Sequence, residues 1–232
     1  MDFLDAVFVV AVIVMSAVIH EVMHGVAAEQ LGDPTARLQG RITLNPISHL
    51  DPVGSVFLPI ILVLTHAPLF FAWAKPVPYN PYNLRSGKFS EAIVAGAGPA
   101  SNLAIAIVLG IFANLLPLSM AVKQELMVAV ASWNGLSAAS TMVETFYVLA
   151  FTFTLINIML FFFNLIPIPP LDGSKVLASI LPPSLAIFYD RLRAYLEWNP
   201  LLGFGAVILF IVFAGGAFSG FVWTVARVIA GA

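Results

Sequence analysis

The apolar positions of this chain fall into long runs with few interruptions, not into the one-sided stripes of a soluble helix. From Phe3 to Ile19 the only charged residue is Asp5. That run predicts a helix over residues 3–31, about 40 Å long at 1.5 Å per residue and closed by Gly32-Asp33-Pro34. Comparable runs predict further spans over 89–116, 142–166 and about 202–226. A fifth apolar run, 53–73, is interrupted by Pro59, His66 and Pro68. In 36–44, Arg37, Gln39, Arg41 and Thr43 alternate with mostly apolar neighbours, which predicts a short strand or hairpin. Prolines at 76, 78 and 81 predict an extended edge or loop over 75–80. Residues 117–138 read as an exposed loop or interfacial helix, and 174–198 as a surface helix.

Composition replaces water with lipid as the solvent. Of 232 residues, 60% are hydrophobic and 9% charged, where a soluble domain carries about a quarter charged. The chain reads as an integral membrane protein. Cysteine is absent, which excludes disulfides and thiolate metal sites and leaves His, Asp and Glu to hold any metal. The start, Met-Asp-Phe-Leu-Asp, is acidic where a secretory signal would be basic. No internal repeat is visible, and nothing in the composition points to nucleic acid.

Chemistry enters where the first run ends, at His20-Glu21-Val22-Met23-His24. Positions i and i+4 share one helix face, so both imidazoles can reach one ion. This is the H-E-x-x-H pattern of zinc sites, with the glutamate available as general base. The pattern also arises by chance, and intramembrane histidines also serve as interhelical hydrogen-bonding groups. Three polar groups within about one helical turn in hydrocarbon are nonetheless costly and mark function. Catalytic zinc takes three protein ligands, so one more is needed. Asp172 is the best candidate, because an apolar helix breaks there in a Pro-rich turn and Gly173 beside it permits close packing. It reads equally as a turn or capping residue. Asn164, two turns earlier, can face the same cavity as a donor to a peptide carbonyl, or simply join two helices.

The H-E-x-x-H at the end of one span is followed by Asn164-Leu165-Ile166-Pro167-Ile168-Pro169-Pro170-Leu171-Asp172-Gly173 closing a later one. Together they resemble the site-two protease family of intramembrane zinc metalloproteases. Gly98-Pro99-Ala100-Ser101-Asn102 is similar to that family's G-P-x-x-N. The three motifs are spread over residues 20–173, and the resemblance covers roughly three quarters of the chain. It implies His20, His24 and Asp172 as zinc ligands, one Zn2+ per chain, Glu21 as catalytic base, and Asn164 as a substrate- or intermediate-binding group. Asn102 and His49 are secondary candidates for substrate or oxyanion contact; Asn102 also reads as structural, and His49 as a solvated turn residue. His66 reads as a satisfied polar group or a gate. With no PDZ-like insert visible, the chain reads as a minimal form: one membrane-embedded metalloprotease domain over 1–232, with its catalytic core in 3–173.

Topology follows from parity. His20, His24 and Asp172 can share an ion only on one side of the membrane, which a full crossing by 53–73 would forbid. That run is therefore expected to be re-entrant. Eight of the ten basic residues (Arg37, Arg41, Lys75, Arg85, Lys88, Lys175, Arg191 and Arg193) then share the side of the metal site. Full crossing would split them four against six. The positive-inside rule makes that side cytoplasmic and the N-terminus extracytoplasmic, in a membrane read as a prokaryotic inner membrane. The predicted fold class is an all-α polytopic membrane protein: about four full transmembrane helices, a re-entrant element at about 53–73, and short β-strands at about 36–44 and 75–80.

The function expected is an intramembrane zinc endopeptidase acting on a single-span transmembrane protein in the bilayer. The substrate would unwind and pair with an extended edge at 36–44 or 75–80. The alternative is a metal-binding transporter or channel lined by the same polar residues, against which the lack of internal repeats counts.

Overall fold

Among the described residues, four helices are long and apolar enough to cross a membrane. The structure, a computed structural model, describes residues 3–57, 74–85, 87 and 89–231. Helix α1, Phe3–Gln30, ends where Gly32 takes a φ of 106° and the Asp33 amide turns back to the Ala28 carbonyl at 2.9 Å. Only glycine enters that backbone region without strain. A single helical turn, α2, Thr35–Leu38, follows. Helix α3, Ser90–Leu115, carries Pro99 inside it. Next come α4, Met120–Ala131, and the short α5, Gly135–Ala138. Helix α6, Met142–Asn164, opens with a capping box: the Glu144 amide donates to the Thr141 hydroxyl, and the Thr141 amide donates to the Glu144 carboxylate. Two shorter helices, α7, Asp172–Ile180, and α8, Pro183–Trp198, precede the last span, α9, Pro200–Ala230.

Helix α3 is the hub, packing against α1, α6, α7 and α9. The apolar core at one end of the bundle gathers Ala113, Leu126, Met127, Tyr147, Val148, Phe151, Ala226 and Ala230. Asp5, buried in α1, accepts bonds there from the Leu136 amide at 2.7 Å and the Ser137 amide at 3.3 Å, which fastens the α4–α5 turn to α1. His20 and His24 lie towards the opposite, C-terminal end of α1.

The four predicted spans are present with bounds shifted by a few residues. Three expectations need correction. No strand forms among the described residues: 36–44 contains α2, and Gly40 at φ 64° turns the chain. Its alternating polar residues serve separate tertiary contacts, Arg37 pairing with Glu29 and Arg41 donating to the carbonyls of Lys75 and Pro76. Residues 75–80 are irregular, since prolines 76 and 78 have no amide to donate to a ladder. The surface helix expected over 174–198 is two helices, because Pro182-Pro183 interrupts it. The segment 117–138 is largely helical and buries Lys123, which donates to the Asn114 carbonyl at 2.8 Å.

The flanks of the 53–73 run meet at the α1 C-terminus. The Lys75 amide donates to the His49 carbonyl, and the Arg85 amide to the Leu31 carbonyl, both at 2.8 Å. Residues 58–73, with His66 and most of the expected re-entrant element, lie outside the described residues.

Candidate active site

Ser16, His20 and His24 recur at every fourth position of α1 and line one buried face. Opposite them lies Gly98 of α3. A Cβ there would stand 2.5 Å from His24 Nε2 and 2.7 Å from His20 Nε2, so α3 carries no side chain at the point where both imidazoles must fit.

Each imidazole is held through its Nδ1. That of His24 donates to the Val94 carbonyl at 2.7 Å. That of His20 is 2.6 Å from Asn102 Oδ1. Both Nε2 atoms then face Asp172, whose Oδ2 lies 3.1 Å from His20 and 3.3 Å from His24. Asp172 is the first residue of α7, where the helix dipole favours a negative charge. Burial alone would raise its carboxyl pKa, but the two imidazoles beside it outweigh burial and hold it below the usual carboxylate range. The residue after it must be small: a Cβ on Gly173 would overlap the Leu165 carbonyl.

These positions suit a metal. Ligand atoms about 2.0 Å from a tetrahedral zinc stand about 3.3 Å apart, which is the spacing of the two nitrogens from the carboxylate oxygen. His20, Glu21 and His24 also each offer a ligand atom within 4.8 Å of the others.

Glu21 is half-buried beside them, and its Oε2 accepts from the Val77 amide at 2.9 Å. Val77 packs against Gly25, where a Cβ would come within 2.9 Å of it, so the 74–80 segment is laid across α1 as a roof. Beneath it is a cavity of about 160 Å³ lined by His20, Glu21, His24, Asn164, Asp172 and Lys175, among others. The roof is tied at its far end by Asp33, which accepts from the Asn80 amide at 2.6 Å and from Asn83 Nδ2 at 2.9 Å.

The residues expected from the sequence divide into three groups. His20, Glu21, His24 and Asp172 converge. Asn164 lines the same cavity, with its Nδ2 donating to the Leu160 carbonyl at 2.9 Å. Asn102 and His49 do not line it. Asn102 is wholly buried behind His20. His49 is buried too, not solvated, and is bonded to the Thr43 carbonyl at 2.8 Å, bracing the loop under the roof. Two further residues at the site carry no motif in the sequence. Lys175 lies three positions after Asp172, hence on the same helix face, and its Nζ sits 5.2 Å from the centre of the Tyr79 ring. Asn157 joins Asn102 to α6; its signal was an amide, seven residues before Asn164, in a mostly apolar helix.

A membrane-embedded bundle with this cluster is the architecture of a membrane zinc metallopeptidase, and comparison with known proteins agrees. The model of Peptidase family M50 matches residues 8–188; the chain belongs to that family. It is 35% identical over 214 residues to "Putative zinc metalloprotease YwhC" of Bacillus subtilis (strain 168), covering 85% of this chain and 87% of that protein. It is 29% identical over 177 residues to "Putative zinc metalloprotease Rip2" of Mycolicibacterium smegmatis (strain ATCC 700084 / mc(2)155), covering 76% of this chain and 58% of that one. No solved structure matches. The chain is a zinc metallopeptidase integral to the membrane, acting on membrane proteins in the bilayer.

Proposed function

We propose that this peptidase cuts within or near the transmembrane segments of single-span membrane proteins, with His20, His24 and Asp172 holding the zinc and Glu21 as catalytic base. The observation that supports this most is the Asp172 carboxylate set between two imidazoles from another helix, with Glu21 beside them in one small cavity. Zinc bound there supplies a water of lowered pKa and a Lewis acid for the scissile carbonyl. Glu21 takes a proton from the attacking water and passes it to the leaving amine, and the Val77 amide keeps its carboxylate aimed at the cavity. Asn164 and Lys175 line that cavity as donors for oxygen atoms on which charge develops. Residues 1–232 act as one catalytic domain.

The substrate must unwind to enter so small a space. Strand pairing along 75–80, the expected mode, is disfavoured. Of its four amide groups, those of Lys75, Val77 and Asn80 are committed to His49, Glu21 and Asp33. The substrate backbone is therefore held chiefly from the cavity floor. The end of the bundle that carries the cavity faces the cytoplasm, as the distribution of basic residues argues, in a prokaryotic cell membrane. Purified Glu21→Gln protein retains zinc and fails to cut a single-span substrate that the wild type cuts. Loss of zinc from that variant, or retention of activity, removes Glu21 from the base role.

A further inference from the structure

We infer that Asn157 and Ser16, acting through Asn102, fix which nitrogen of His20 is free to take the metal. The inference rests on His20 being a ligand. It concerns residues outside the cavity that belong to three different helices.

Ser16 of α1, Asn102 of α3 and Asn157 of α6 are each no more than 1% exposed. Asn157 Nδ2 donates to the Phe153 carbonyl and to Ser16 Oγ, both at 2.9 Å. Asn157 Oδ1 accepts from Asn102 Nδ2 at 2.8 Å, and that same Nδ2 faces the Ser16 carbonyl at 3.4 Å. Asn102 Oδ1 then meets His20 Nδ1 at 2.6 Å.

The polarity of this relay has one solution. A backbone carbonyl only accepts, so Asn157 must present its NH2 to Phe153 and its oxygen to Asn102. Asn102 must in turn present its NH2 to Asn157 and its oxygen to His20. Reversing either amide sets two oxygens against each other, at Phe153 in one case and at Ser16 in the other. His20 Nδ1 therefore carries a hydrogen, which makes Nε2, on the side of Asp172, the nitrogen that is open to a metal. His24 reaches the same tautomer in one step, through the Val94 carbonyl. The two imidazoles are set by different means: His24 by the α3 main chain, His20 by side chains that reach across to α6. Loss of such an outer partner typically costs about 10–100-fold in metal affinity. In hydrocarbon no water replaces it.

The test is zinc affinity of the detergent-purified full chain, by competition with a chelator, with thermal stability measured alongside. Asn157→Leu is expected to bind zinc about 10–100-fold more weakly than wild type. Ser16→Ala, a smaller change, shifts affinity in the same direction by less. Thr154→Val alters another wholly buried hydrogen bond of α6, to the Ala150 carbonyl at 2.8 Å, and leaves zinc affinity unchanged. Adding Asn102→Asp to Asn157→Leu restores zinc, because a carboxylate accepts from His20 Nδ1 without needing its own orientation fixed. Wild-type affinity in both Asn157→Leu and Ser16→Ala overturns the relay. So does a loss that tracks stability, appears equally in Thr154→Val and is not restored by Asn102→Asp. A wild-type protein that binds no zinc overturns instead the ligand assignment beneath it.

Discussion

The Asp172 carboxylate lies 3.1 Å from Nε2 of His20, a residue 152 positions earlier in the chain. Within an apolar bundle, a carboxylate pressed between two imidazoles is stable only when a cation is shared among them or the charges are otherwise offset. That contact joins the C-terminal part of α1 to the start of α7, and the predictions below depend on it.

Gly98 is the first test of the packing that makes the contact possible. Its missing Cβ would lie within 2.7 Å of both imidazoles, so Gly98→Ala must displace at least one of them. The variant is expected to lose zinc and activity while staying folded. Gly96, two residues away, has open space where its Cβ would be, and Gly96→Ala should retain both. Metal analysis beside a cleavage assay checks the pair.

Asp33 anchors the roof and not the metal. Its carboxyl would be raised by burial, but bonds from Thr35, Asn83 and Asn80 hold it below the usual range. A group with a depressed folded pKa stabilises the protein above its unfolded pKa and ceases to do so as pH falls through the folded one. The anchor is thus intact at neutral pH and fails only in acid. Asp33→Ala is expected to keep zinc and to lower cleavage at neutral pH by loosening Val77 and Tyr79 over Glu21. Equal zinc content with reduced kcat/KM is the outcome to look for; unchanged cleavage would mean that the roof needs no anchor.

Asp5, at the far end of α1, should matter for stability alone. Asp5→Ala leaves the half-buried Leu136 amide without its acceptor, a loss of about 1 kcal/mol. A lowered Tm with unchanged zinc content is expected.

The four spans were legible because a bilayer demands about 20 consecutive apolar residues, and a run of that length has few other readings. His20, Glu21 and His24 were legible from helical spacing, and Asp172 from the helix break before it, although it proves to begin a helix and not to sit in a turn. The strand expected over 36–44 was misread for a reason that the local sequence does not carry. Arg37 and Arg41 alternate with apolar residues as a strand would, yet each is placed by a partner distant in sequence: Glu29 on α1, and the carbonyls of Lys75 and Pro76. Local period cannot report such bonds. Asn157 showed only as an amide in a mostly apolar run; its partners, Asn102 and Ser16, lie on two other helices. The roof over Glu21 depends likewise on Val77 meeting Gly25, a packing contact that no motif announces.

The most direct test of the central claim is the zinc content of purified wild-type protein beside Asp172→Ala. About one zinc per chain in the wild type, lost or much weakened in the variant, is the predicted result, since three protein ligands hold a catalytic zinc. Zinc retained at full affinity by Asp172→Ala would contradict it. The carboxylate would then not be a ligand, and the convergence of α1 and α7 would need another purpose.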